Sequence, residues 1–234
     1  MAVLLPPPSV ENFQNAAELL GESLWTEPLA SITGPLQRGQ AAFLYGERYC
    51  NLLAQKLCFV SQLPASQGGL ASKSVVIDAG NCFDIYFVTK LAQRFGIDTK
   101  RALDRIMISR VFNCHQLLRL ITRDVYDALK ESGAGVIAVL DPAESFKASD
   151  VGKAAERKLI DALAGELSDI AFRTNSVVVI SSSATGDESA LNRRMLRSAS
   201  VAVRFKDGTA GVRATLVKHP FTLRKEILIG KERL

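Results

Sequence analysis

The sequence has no apolar run long enough to cross a bilayer and no charged leader. Its apolar runs, such as GVIAVL at residues 135–140, fall far short of the about 20 residues that a membrane-spanning helix needs. The opening stretch MAVLLPPPSV carries no positive side chain and is interrupted by three prolines, which is not the pattern of a signal peptide. Residence in the cytoplasm is therefore the expectation.

Metal-binding patterns are lacking as well. The chain has four cysteines and two histidines, and no C-x-x-C pair. Cys114 and His115 are adjacent, so their side chains would point in different directions from either a helix or a strand. These spacings predict reduced, mostly buried thiols and no metal site.

The composition is that of one globular domain, with an uneven charge. Of 234 residues, 47% are hydrophobic and 23% charged, and the net charge is +5. Residues 192–234 hold 11 Lys and Arg against 3 Asp and Glu, while the rest of the chain is slightly acidic. This basic end indicates either a surface that faces a polyanion or a sheet edge protected by cations. We predict a partly disordered extension over residues 1–30 and a core domain over 31–234.

Short apolar strands alternate with amphipathic stretches along the chain. The strands are AAFLY (41–45), SVVIDAG (74–80), RIMISRVF (105–112), GVIAVLD (135–141) and SVVVISSS (176–183). Nearly continuous apolar strands of this kind are buried on both faces, and their alternation with helices predicts a doubly wound, mainly parallel α/β sheet. After Arg197, two alternating strands flank KDGTAG and RKEILI follows, which predicts antiparallel strands at the C-terminal edge.

The order of these segments resembles the RecA-like ATPase core of the RadA recombinase family, from about residue 32 to residue 220. QLPASQGGLASKSVVIDAGNCF (62–83) is similar to the family's Gln-Leu-Pro, glycine-rich turn and Ile-Asp. LAQRFGIDTKRALDRIMISRVFNCHQLLRLI (91–121) follows in the family's order. GVIAVLDPAESF (135–146) lies where the Walker B strand belongs, so the resemblance puts Asp141 at the metal-orienting position.

The phosphate-binding loop departs from the family. In G-x-x-x-x-G-K-[ST], backbone N–H groups wrap the phosphates, the Lys neutralises them and the hydroxyl binds Mg²⁺. Counting back from Pro64 places Cys50 and Asn51 at the Lys and Ser/Thr positions. Aligning Gly46 and Glu47 on the family's Gly-Glu instead requires two deleted loop residues. Both alignments lack the lysine, the second glycine and the hydroxyl.

A further part of the family's machinery is missing. The family's catalytic glutamate, two residues after Ile-Asp, corresponds to Gly80. Asp141 alone cannot hold Mg-ATP, so the sequence predicts a degenerate nucleotide site, no bound cofactor and no ATPase activity.

The resemblance also places the family's two DNA-facing loops, at residues 145–158 and 182–198. The second lacks the family's Asn-Gln pair and contains Asp187 and Glu188. The candidate DNA-binding residues are Arg193, Arg194, Arg197, Lys147 and Lys153, which would contact phosphates without reading sequence. The alternative is that the arginines lie on an amphipathic helix and contact solvent and nearby carboxylates.

A candidate partner-binding segment precedes the core. The family polymerises by inserting a Phe-x-x-Ala segment into a neighbour's core, and Phe13 and Ala16 have that spacing. A plain amphipathic helix that packs on its own core has the same pattern.

Two functions from different classes follow. The first is a non-catalytic RadA paralogue that binds single-stranded DNA, the active recombinase or both, and acts as a mediator of recombination and repair. The second is a protein–protein scaffold without DNA contact, whose basic strands meet an acidic partner. A third option is a regulatory nucleotide binder that uses backbone amides near Gly46.

Overall fold

The computed structural model describes residues 23–184 and 189–230. The strands are β1 Ser23–Leu24, β2 Leu36–Gln37, β3 Ala41–Tyr45, β4 Lys73–Asp78, β5 Ile106–Arg110, β6 Ala134–Leu140, β7 Val177–Ser182, β8 Val201–Gly208, β9 Gly211–Lys218 and β10 Glu226–Ile229. The helices are α1 Ala30–Thr33, α2 Tyr49–Val60, α3 Ile85–Arg94, α4 Thr99–Asp104, α5 Cys114–Arg119, α6 Val125–Ser132, α7 Pro142–Lys147, α8 Lys153–Thr174 and α9 Ala190–Ser198. A π-helical turn at Leu120–Asp124 joins α5 to α6.

Eight strands form one sheet in the order β10-β9-β8-β3-β7-β6-β4-β5. The pairs from β8 through β3, β7, β6 and β4 to β5 are parallel, whereas β8–β9 and β9–β10 are antiparallel. The predicted fold class, a mainly parallel doubly wound sheet with antiparallel C-terminal strands, is therefore confirmed.

The central strands are buried on both faces, because helices cover both sides of the sheet. All five residues of β3 and all seven of β6 are buried. Leu44 and Val76 belong to the apolar layer beneath α2 and α3, and Phe43 and Ile77 belong to the layer beneath α5, α6, α8 and α9. Their alternation puts successive side chains of one strand into two different cores.

Helix boundaries follow from local chemistry. The side chains of Asp84, Asp98, Asn113 and Ser189 accept hydrogen bonds from backbone N–H groups in the first turns of α3, α4, α5 and α9. Helix α8 is terminated by its C-cap Asn175, which takes the left-handed conformation with φ 49°. These caps fix where each helix leaves the sheet.

The first described residues pack against the sheet. β1 pairs with β2 in a small antiparallel ribbon, and Leu24 and Leu29 are buried in the core beneath α2. The boundary between extension and core at residues 30 and 31 stays a prediction. Phe13 and Ala16, the candidate partner-binding residues, lie outside the described residues. Within the described ranges, no helix has the length and apolar character needed to span a bilayer.

Candidate functional site at the carboxyl ends of the parallel strands

A cleft of about 780 Å³ opens where β3, β4 and β6 end. Its walls include Arg48, Asn51, Gly80, Asp141 and Ser183. In open α/β sheets, ligands bind outside the carboxyl ends of the strands, so this carboxyl-end cleft is where a nucleotide site is expected. The structure therefore brings together Asn51, Gly80 and Asp141, three of the degenerate positions named from the sequence.

The connection from β3 to α2 is short and closely packed. Only residues 46–48 separate Tyr45 from Tyr49. Gly46 has φ 117°, and a Cβ atom there would overlap the carbonyl oxygen of Phe205 in β8. The Gly46 N–H donates to the carbonyl oxygen of Ser182 over 2.9 Å. This segment is therefore anchored to β7 and pressed against β8, and any side chain at residue 46 would collide with the backbone.

The first turn of α2 places Cys50 in the core. Cys50 is fully buried, and its Sγ donates to the carbonyl oxygen of Ser182 over 3.1 Å. Burial, together with the negative charge of Asp141, raises the pKa of the Cys50 thiol to about 12. Residue 50 is therefore an uncharged thiol that donates to the backbone.

Asp141 is held by polar groups of this chain. It is 4% exposed and has φ 49° at the junction of β6 and α7. Its Oδ2 accepts from Asn51 Nδ2 over 3.4 Å and from Ser183 Oγ, and its Oδ1 accepts from the Ser183 N–H over 3.3 Å. Both carboxylate oxygens of Asp141 therefore have donors within the protein.

Gly80 lies directly against Asp141. A Cβ atom on residue 80 would be 2.6 Å from the Cβ atom of Asp141, closer than real Cβ atoms approach. A glutamate at residue 80 therefore requires the backbone of one of the two residues to move.

The loop after β4 is fixed by a second buried carboxylate. Asp78 is 1% exposed, and it accepts from the N–H groups of Cys82 over 2.9 Å and Phe83 over 3.2 Å. Burial, and then the charges of Asp78 and Asp141, raise the pKa of the Cys82 thiol far above its usual range. The sequence contained Asp78 in the Ile-Asp pair, but its contacts with the following loop depend on the loop's path and were not predicted.

A basic surface lies on helices α8 and α9. Arg193 and Arg197 are exposed on α9, while Arg194 Nε is 2.9 Å from Asp161 Oδ1 on α8. These side chains and Arg157 line a hollow of about 180 Å³. We call Arg157, Arg193, Arg194 and Arg197 the arginine cluster. Arg194 has a carboxylate partner and the other two α9 arginines face solvent, as the amphipathic-helix interpretation expects, while DNA binding by these residues stays a prediction.

Arg157 was missed as a candidate, although it lies in the segment 145–158 that was matched to a DNA-facing loop. Lys153, a candidate, lies one helical turn before Arg157, so the two share a face of α8. Lys147 lies instead on α7, where its Nζ is 2.6 Å from Glu144 Oε1, and that hydrogen bond raises the pKa of Lys147. Asp187 and Glu188 lie outside the described residues.

Another cation joins α9 to the antiparallel strands. Lys218 of β9 donates its Nζ to the carbonyl oxygens of Leu196 over 3.2 Å and Arg197 over 2.7 Å. Burial lowers the pKa of Lys218. This contact satisfies carbonyl groups at the end of α9 and fixes the helix that carries three of the four residues of the arginine cluster.

The strand order, the parallel central strands and the cleft at their carboxyl ends define a RecA-like α/β core. Residues 29–198 match the family model described as Rad51, and the chain belongs to the Rad51 family.

Three plant proteins illustrate the similarity. Over 92 residues, the chain is 30% identical to "DNA repair protein RAD51 homolog" of Solanum lycopersicum, 30% to "DNA repair protein RAD51 homolog B" of Zea mays and 32% to "DNA repair protein RAD51 homolog 1" of Arabidopsis thaliana. Each matched stretch covers 38% of this chain and 27% of the relative. The matched part of the chain therefore spans about a quarter of the length of these relatives.

Proposed function

We propose that this chain is a non-catalytic Rad51-family subunit that assists DNA recombination or repair. It binds single-stranded DNA, the active recombinase or both, and it does not hydrolyse ATP. Membership of the Rad51 family supports the recombination or repair role. The observation that carries the non-catalytic part is the contact between Gly80 and Asp141, because it leaves no room for a glutamate that would activate water.

The short β3–α2 connection supports the same conclusion. Residues 46–48 contain no lysine, and the N–H groups of Cys50 and Asn51 donate to the carbonyl oxygens of Glu47 and Arg48 over 3.0 and 3.1 Å. In the alignment that counts back from Pro64, those two amides lie at the positions of the family's lysine and hydroxyl residue, and here they are used within the first helical turn. A phosphate would therefore have to displace hydrogen bonds that this segment already makes.

DNA binding is supported by the arginine cluster. Arg193 and Arg197 present exposed guanidinium groups, which contact phosphates without reading base sequence. Arg157 on α8 adds another exposed cation to the same hollow, which Arg194 also lines.

Binding of a recombinase is supported by the other edge of the sheet. β5 is an edge strand on which Met107 is 39% and Ile108 45% exposed. An apolar groove separates β5 from Leu120 and Val125. An extended segment can pair with such an edge while an apolar side chain enters the groove. We propose that this groove accepts the Phe-x-x-Ala segment of a recombinase, and that Phe13 and Ala16 of this chain are offered to a partner in the same way.

A pull-down with the cellular recombinase tests the partner proposal. Met107→Glu places a charge in the groove and should reduce capture at least about tenfold, because an unpaired charge in an apolar contact is costly. The control, Lys130→Glu on the exposed face of α6, should capture as much recombinase as the wild type. Equal capture by the two variants would show that the recombinase does not bind at the β5 edge.

Each of the two alternative functions, the scaffold and the regulatory nucleotide binder, predicts a different result. A scaffold without DNA contact would show no salt-dependent binding of single strands. A regulatory nucleotide binder would show a nucleotide-dependent rise in melting temperature, with Arg48 as the cation in the carboxyl-end cleft. Cytoplasmic residence remains an expectation from the sequence.

A further inference from the structure

The opposite end of the sheet carries a second concave surface. Two adjoining hollows, of about 320 and 410 Å³, lie near the amino ends of β4 and β5 and share Asp98, Arg101 and Arg105 as walls. Lys73 and Lys100 also line one of them. We call this surface the amino-end pocket. It is separate from the carboxyl-end cleft and from the arginine cluster.

The carboxylates of the amino-end pocket are already engaged. Asp98 Oδ1 accepts from the N–H of Arg101 over 2.8 Å, as the cap of α4. Asp104 Oδ2 is 2.9 Å from Lys100 Nζ. Arg101 and Lys73 therefore add positive charge that these two acids do not offset through a direct side-chain ion pair.

Arg105 is held in place by one hydrogen bond to the backbone. Its Nη2 donates to the carbonyl oxygen of Ala71 over 3.0 Å, which fixes the guanidinium plane. Its Nε is buried and has no hydrogen-bond partner among the described residues. The Arg105 side chain as a whole is half-buried and lines both hollows, so its guanidinium group faces a ligand in the pocket even though Nε itself is covered.

One wall of the pocket is apolar. Phe95 is 41% exposed and packs against Phe59 with ring centroids 5.4 Å apart. Leu63, Pro64 and Ile97 extend this wall beside the two arginines. An apolar surface next to convergent cations suits a ligand that carries both an apolar group and a negative charge.

We propose that the amino-end pocket binds an acidic peptide segment of a partner protein, with an apolar side chain against Phe95 and carboxylates on Arg101 and Arg105. Charge complementarity favours a peptide over a nucleic acid. The pocket's four cations outnumber its two carboxylates, and its apolar wall at Phe95 accepts an apolar side chain, which a sugar–phosphate backbone does not carry. Guanidinium groups also match carboxylates in a paired geometry.

The test uses the full chain and a fluorescein-labelled peptide, DEEFEDLLEEDF, with fluorescence anisotropy as the readout. Its control peptide, NQQFQNLLQQNF, has the same apolar residues without charge and should bind at least about tenfold more weakly. Arg101→Ala should weaken binding of the acidic peptide about fivefold or more, since it removes an exposed cation that does not support the fold. Lys130→Ala and the double variant Arg193→Ala with Arg197→Ala should change its affinity less than about twofold, because they leave the pocket intact.

A single-stranded (dT)20 probe separates the two classes of ligand. Arg101→Ala should leave its affinity unchanged. The proposal fails if the acidic and neutral peptides bind equally, if Arg101→Ala weakens the peptide no more than Lys130→Ala does, or if Arg101→Ala weakens (dT)20 as much as the peptide. None of these results depends on whether the arginine cluster binds DNA, so failure here leaves the proposed function intact.

Discussion

Gly80 and Asp141 lie so close that a Cβ atom on residue 80 would be 2.6 Å from the Cβ atom of Asp141. Asp141 cannot retreat cheaply, because its two oxygens accept from Asn51 and Ser183. The resemblance assigns the catalytic glutamate to residue 80 and the metal-orienting aspartate to residue 141, and these two positions are packed against each other.

Gly80→Ala should destabilise the fold. The added methyl group overlaps Asp141, and overpacking of this kind costs about 1–3 kcal/mol. Denaturant unfolding measures the loss. Gly165→Ala is the matched control, because Gly165 lies on an exposed face of α8 with nothing within 4 Å of an added Cβ, and alanine is the better helix former by about 1 kcal/mol. A Gly80→Ala variant as stable as the wild type would show that the backbone at residue 80 or 141 moves at little cost to make room for the methyl group.

Cys50→Ser should change how stability depends on pH. The folded protein holds the Cys50 proton up to a pKa of about 12, against an ordinary value of 9.0, so the thiol's contribution is complete below pH 9 and is lost as pH rises from 9 to 12. A serine hydroxyl keeps the hydrogen bond to Ser182 without ionising.

Denaturant unfolding of the wild type and of Cys50→Ser tests this. The difference in free energy of unfolding between the two proteins should be constant between about pH 7 and 8. Above pH 9, the wild type should lose stability relative to Cys50→Ser by up to about 1.4 kcal/mol per pH unit. A constant difference up to pH 10 would mean that Cys50 titrates normally.

The arginine cluster should control the salt dependence of single-strand binding. Each phosphate neutralised on a single strand adds about 0.7 to the log–log slope, so Arg193→Ala with Arg197→Ala should flatten it by about 1.4. Adding Arg194→Ala should change the slope little further, because Arg194 is paired with Asp161. The matched control is Arg119→Ala with Arg123→Ala, two exposed arginines spaced four apart. A slope that responds equally to both pairs would place the DNA contacts elsewhere.

The sheet was predictable because most of its central strands are short, nearly continuous apolar runs, several of them rich in Val and Ile. AAFLY, predicted over 41–45, is β3 without change, and GVIAVLD at 135–141 is β6 shifted by one residue. Helix α4 was not predicted, since six residues carry too little periodicity and its start depends on the cap at Asp98. β1 and β2 were also not predicted, because a strand of two residues is too short to show an alternation of apolar and polar side chains.

The site was predictable only at the level of which residues are present. The sequence shows Cys50 and Gly80 where the resemblance would place the family's lysine and glutamate. That Gly80 touches Asp141 depends on how β4 and β6 pair, and that Arg194 meets Asp161 depends on how α9 crosses α8. Predicting contacts between distant segments requires knowing how the strands pair and how the helices cross, and the spacing of residues along the chain does not give this.

ATP hydrolysis in the presence of single-stranded DNA tests the central claim most directly. Purified wild-type protein and Asp141→Ala are compared with and without DNA, with phosphate release as the readout. The account predicts that both proteins release phosphate at the background rate, because residues 46–51 and Gly80 supply neither a phosphate-neutralising lysine nor a water-activating carboxylate. DNA-stimulated turnover by the wild type that Asp141→Ala abolishes would contradict it.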